Sequence, residues 1–176
     1  MNLLVQKRVA PVRFSSEANC DDNRVESPAW HELWERPVTD IIDQMVVAMN
    51  KHDLEGAANL MHRDYRSEQP VHPSLAFVGR AQMRANWAAM FAGIPDFQAE
   101  LCRSVNDGDT TWSEWHWSGT RSDGQPFEMR GVTLFEIHDG QIVAGRLYME
   151  DVDREEVSIE QAVRARTGRR PQLPSE

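Results

Sequence analysis

Apolar positions recur at helical spacing in the first half of the chain and at every second residue in the second half. Ile41, Ile42, Met45, Val46 and Met49 fall on one helical face, which predicts an amphipathic helix over about 38–51. Asp53 suits the N-cap of a second, short helix through about Met61. Tyr65 to Gln69 reads as a short strand ended by Pro70, and a loop containing Pro70 and Pro73 follows. Met83, Trp87, Met90, Phe91 and Ile94 return to helical spacing. They predict a helix over about 80–92, stopped by Gly93 and Pro95.

Beyond Pro95 the period becomes two. Phe97, Ala99, Leu101 and Val105 alternate with polar residues, and Phe127, Met129, Gly131, Thr133 and Phe135 share one face of a longer strand. Asp107-Gly108, Asp123-Gly124 and Asp139-Gly140 are hairpin turn signals. Between them lie strands at about 110–118 and from Ile142 to Glu150. The prediction is a four-stranded antiparallel meander, followed by a C-terminal helix bearing Val157, Ala162 and Val163. Helices first and a meander second predict an α+β fold with helices on one sheet face. Residues 1–35 mix Pro, Ser, Asn and charge without a sustained period. They read as a partly disordered arm, ahead of one domain over 36–167 and a tail over 168–176.

Composition narrows the function classes. The formal net charge of −9 disfavours sequence-independent binding to nucleic acid and docking on anionic lipid. The longest apolar run near the N-terminus, Leu3-Leu4-Val5, is too short for a signal-peptide core, so a cytoplasmic protein is expected. Two cysteines, Cys20 and Cys102, without a CxxC pair predict neither a disulfide framework nor a cysteine zinc site. The histidines are scattered without paired-ligand spacing, and the acidic run Glu150 to Glu156 lacks the central Gly of a calcium loop. No GxGxxG, Walker or G-x-S-x-G segment is present. No metal and no cofactor are expected.

The order of elements resembles the NTF2-like superfamily, most of all its SnoaL-like branch, over about 38–153. The resemblance rests on the helix pair leading to a strand, Gly79-Arg80 at a helix start, Gly119-Thr120 after a strand, "RGVTLFEIHDGQIV" at 130–143 and "GRLYMEDVD" at 145–153. It implies a cone in which N-terminal helices pack on a curved antiparallel sheet and enclose one pocket. In SnoaL-like cyclases and limonene-epoxide-hydrolase-like enzymes a catalytic Asp on the last strand faces that pocket. Here the corresponding place falls on Tyr148 or Glu150, which share a face with Arg146.

The resemblance therefore implies Glu150 as proton-transfer group, Tyr148 as hydrogen-bond donor to a developing oxyanion and His116 as partner. Arg146, Glu68, Glu114, Trp87 and Met129 are the expected substrate contacts, with Arg66 beside Glu68. On the 110–118 strand, counting from the turn turns Glu114 and His116 to the pocket, as the polar family pocket suggests; the other register turns Trp115 and Trp117 there. Arg146 and Glu150 equally suit a structural ion pair, with Glu68 or Glu114 as further partners. Two functions stay open. One is a cofactor-independent acid–base enzyme (cyclase, isomerase, dehydratase or epoxide hydrolase type) acting on a small hydrophobic carbonyl or epoxide compound. The other is a non-catalytic protein that binds a small hydrophobic ligand or serves as a scaffold. Apolar residues on both faces of the 110–118 and 141–150 strands predict a homodimer through the sheet.

Overall fold

The chain alternates between helices that cannot bury their apolar faces alone and strands that give them a surface. The computed structural model of the protein describes residues 41–154 and 157–171. They form α1 (Ile41–Asn50), α2 (Leu54–Asn59), β1 (Met61–Glu68), a 3-10 turn (Pro73–Leu75), β2 (Phe77–Val78) and α3 (Arg80–Gly93). The meander β3 (Gln98–Asp107), β4 (Thr110–Thr120), β5 (Pro126–His138) and β6 (Gln141–Asp151) follows, then α4 (Ile159–Thr167). The arm expected over 1–35, the first residues of the α1 pattern and the end of the tail lie outside the described residues.

The six strands form one sheet in the order β2-β1-β6-β5-β4-β3. The meander is antiparallel throughout, but β1 lies parallel to β6, so the sheet is mixed rather than wholly antiparallel. A parallel neighbour needs a crossover connection, and α3 lies within the one from β1 to the meander. At the β5–β6 turn Asp139 and Gly140 both have positive φ, 49° and 73°, the geometry that Asp-Gly supplies most readily. Asp53 caps α2 through a 2.8 Å bond from the Gly56 backbone N–H to its carboxylate.

α1, α2 and α3 pack on one face, here called inner. α1 buries Ile42, Met45, Ala48 and Met49; α3 buries Met83 and lays Trp87, Met90 and Phe91 against the core. The sheet contributes Tyr65, Phe97, Ala99, Trp115, Trp117, Phe127, Phe135, Ile142 and Met149. Cys102 is also buried.

Two bulges decide which side chains turn inward. On β6, Ile142 pairs with Ile137 and Ala144 with Glu136, so one extra residue separates two adjacent rungs. Counting by twos from the buried Ile142 would send Arg146, Tyr148 and Glu150 inward. The bulge reverses the parity, and Gly145, Leu147 and Met149 point to the core instead. A second shift between Leu101 and Arg103 does the same on β3. On β4 the buried series is Thr111, Ser113, Trp115 and Trp117, which corrects the expectation that Glu114 and His116 face inward.

Gly145 tests this parity directly. A Cβ there would stand 2.5 Å from the Tyr65 hydroxyl and 2.9 Å from the Phe135 ring. Gly145→Ala should therefore cost about 1–3 kcal/mol by overpacking, a fall in Tm of about 2–4 °C per kcal/mol for a chain of this size. Calorimetry showing an unchanged Tm would place Gly145 on the outer face.

Candidate functional site

The inner face near the end of α3 is aromatic. Phe97 is fully buried and has Trp87, Phe91, Trp117 and Phe127 around it at ring-centroid distances of 5.6, 5.9, 5.9 and 6.1 Å. Trp87 meets Trp117 edge-on at 5.4 Å, and Met129 packs against the same cluster. The strand register sets Ala99, Trp117, Met129 and Asp151 in one transverse row across β3, β4, β5 and β6. Asp151 is the last of the inward parity Gly145, Leu147, Met149, and it stands exposed at the rim with Arg121 3.8 Å away. The Arg121 guanidinium lies 5.6 Å from the centre of the Phe127 ring, a cation–π contact that holds it at the same rim.

Deeper on this face lies a polar seam. Tyr65, Ser67, Thr111, Ser113 and Thr133 are all buried. The Trp115 indole N–H donates to the Thr133 hydroxyl at 2.9 Å. The Ser113 hydroxyl and the Trp117 indole N–H have no hydrogen-bond partner. Burial pushes the Tyr65 hydroxyl up to about 12, with a hydrogen bond from Ser67 opposing the shift. At neutral pH Tyr65 is therefore a protonated phenol.

The outer face is charged. Arg146 pairs with Glu68 at 3.0 Å, Arg66 with Glu136 at 3.6 Å and Arg103 with Glu114 at 3.2 Å. Exposed pairs of this kind contribute about 0–1 kcal/mol each. His116 bridges two carboxylates, Glu128 at 3.1 Å and Glu100 at 3.4 Å, and Arg154 also reaches Glu128. Glu150 takes a contact from His72 at 3.1 Å, and Tyr148 is exposed on the same face. A depression of about 270 Å³ is lined by Arg66, Glu68, Trp112, Leu134, Glu136 and Arg146, among others. Among the described residues no group of three or more His, Cys, Asp or Glu side chains is arranged to hold a metal ion. No helix among them is long and apolar enough to cross a membrane.

The SnoaL-like domain model matches residues 42–145, more than half of the chain. The chain belongs to the SnoaL-like domain family. No curated protein sequence matches it. Among solved structures it is similar to IdmH, a candidate polyketide cyclase from Streptomyces antibioticus, at 24% identity and a TM-score of 0.56, over 66% of this chain and 92% of that one. A loop-truncation variant of IdmH aligns at 26% identity and a TM-score of 0.53, over 65% and 92% of the two chains. A ketosteroid isomerase-like protein from Catenulispora acidiphila, crystallised with trimethylamine, aligns at 18% identity and a TM-score of 0.55, over 75% and 95%.

Within this SnoaL-like fold, the site residues expected from sequence separate into two groups. Trp87 and Met129 stand at the inner aromatic cluster. Glu150, Tyr148, His116, Arg146, Glu68 and Glu114 stand on the outer face, away from the helices. The residue that sequence reasoning passed over is Asp151. Its signal was the simplest one: Leu147 and Met149 are the apolar members of the β6 alternation, and Asp151 continues their parity.

Tyr65 gives a measurable pH signature. Its hydroxyl pKa is raised above the unfolded value of 10. The stability it contributes is fully present below pH 10 and is lost as pH rises through about 12. Two units correspond to about 2–3 kcal/mol. Urea denaturation at pH 9 and pH 12 should show Tyr65→Phe losing less stability over this interval than wild type. Parallel losses in the two proteins would show that the Tyr65 hydroxyl is not buried.

Proposed function

We propose that the chain is a cofactor-independent acid–base enzyme that acts on a small hydrophobic carbonyl or epoxide compound between the sheet and the helices. The observation that carries this reading is the position of Asp151. It is a carboxylate on the last strand, on the face of the aromatic cluster, one residue beyond the Tyr148 or Glu150 position to which the sequence resemblance points. A carboxylate at that place can accept a proton from a molecule lying on the cluster, which fits a general base. The likeness to IdmH, a candidate polyketide cyclase, supports this reaction class.

The binding-protein reading is favoured by a separate observation. Trp115 and Trp117 turn their rings inward and wall the cluster, while Glu150, Tyr148 and His116 face away from it. On that reading the same surface holds a hydrophobic ligand without turning it over. A homodimer through the outer face accords with either reading. Trp112 and Tyr148 are exposed there between side chains of both signs, so two copies related by a two-fold axis can match charge with charge. Sedimentation at micromolar concentration should give twice the chain mass; the mass of one chain would reject the dimer.

Native mass spectrometry of the purified protein is expected to reveal a bound small molecule. With that compound as substrate, Asp151→Asn should lower turnover by about 100- to 10,000-fold, while Glu150→Gln keeps the wild-type rate. The reverse pattern would return the proton transfer to Glu150. A bound compound that wild-type protein leaves unchanged would establish the non-catalytic reading.

A further inference from the structure

We propose that the Trp117 indole N–H is the group that receives the ligand's oxygen. This inference rests on the reading of the inner face given above and adds the chemistry of what binds there. Trp117 is 7% exposed, and its Nε1 has no hydrogen-bond partner. Buried donors are nearly always paired, and an exception calls for a cause such as a missing ligand atom. Two residues away on the same strand face, Trp115 pairs its own N–H with Thr133. The fold thus supplies a partner to one indole and leaves the other without one. The Ser113 hydroxyl is also unpartnered, but it lies further from the rim at 1% exposure.

Position makes the Trp117 N–H useful. It belongs to the transverse row that ends in Asp151, with Met129 between them. Two strand spacings, about 9.5 Å, separate the backbones of Trp117 and Asp151. A flat apolar molecule lying over Met129 can direct an oxygen at the indole and the neighbouring carbon toward Asp151. For a ketone, the proton on that carbon passes to the carboxylate. The C–H electron pair becomes the new C=C bond, and the carbonyl pair moves onto the oxygen. An indole N–H donates only and keeps its proton, so it suits an oxygen that gains negative charge. Trp87 meets Trp117 edge-on from α3 and is only partly buried, and on this proposal its ring turns aside to admit the ligand. The ligand class is an apolar ring compound carrying one hydrogen-bond-accepting oxygen.

The test uses 1-tetralone and tetralin, which differ by the carbonyl, with the full chain labelled with nitrogen-15. Tetralone should shift the Trp117 indole N–H resonance downfield, and tetralin should not; the peak is identified by its loss in Trp117→Phe. That substitution should weaken tetralone about 2- to 13-fold more than it weakens tetralin, the range for one net hydrogen bond. Should the Phe variant fail to fold, site-specific 3-benzothienylalanine at position 117 keeps the ring shape and removes the N–H. Equal weakening of the two probes would overturn the Trp117 assignment and leave intact the reading that ligands bind on the inner face. Failure of both probes to bind wild-type protein would overturn that reading and the assignment with it.

Discussion

Phe97 sits at the entry to β3 with rings on every side. Trp87 and Phe91 come from α3, Trp117 from β4 and Phe127 from β5. His52, in the connection from α1 to α2, stacks on Phe91 at 4.6 Å and reaches the Phe97 carbonyl with Nε2 at 3.1 Å. Next to this hub, Asn50 at the end of α1 exchanges two hydrogen bonds with the Ala99 backbone, at 2.6 and 3.0 Å. Edge-to-face ring pairs add about 0.5–1.5 kcal/mol each beyond the area they bury. The helices are therefore fixed to the meander at one end of the sheet by a cluster that cannot shift one ring without displacing others. The aromatic wall of the candidate site is this same cluster, so the site inherits its rigidity.

The rim is held by a different kind of contact. Asp96 accepts from the Thr120 backbone N–H at 2.6 Å and from its hydroxyl at 2.8 Å, and these bonds hold its carboxyl below the usual carboxylate range. They pin the end of β4 to the connection between α3 and β3. Arg121 follows directly, lying over Phe127 and facing Asp151.

The outer face follows another logic. Its carboxylates and guanidinium groups lie across adjacent strands, where Arg146 meets Glu68 and Arg103 meets Glu114. Such pairs add little stability in water, yet they keep a broad sheet face from being a uniform apolar surface. His116, between Glu100 and Glu128, can donate to both carboxylates only when both ring nitrogens carry protons. Among the described residues, the ion pairs across neighbouring strands thus lie mainly on the face opposite the aromatic cluster.

The sequence by itself determined most of the elements and their order; β2 (Phe77–Val78) and the first residues of β1 from Met61 were not legible in it. Helical spacing in Ile42, Met45 and Met49, the Asp53 cap, the Asp-Gly turns and the Gly93 stop each act within a few residues, and local energetics suffice to read them. It also determined the inward face of β5, where Phe127, Thr133 and Phe135 alternate without interruption. The parity of β6 was decided by the tertiary structure, because one extra residue between Ile142 and Ala144 reverses every later side chain relative to Ile142, and the apolar Leu147 and Met149 mark the result without marking the bulge. Pairing across strands chose that register, since it alone buries Leu147 and Met149 against the cluster. The same choice set Asp151 beside Met129 and Glu150 beside His72. Which carboxylate stands on the face of the aromatic cluster is therefore a property of strand pairing, a non-local interaction.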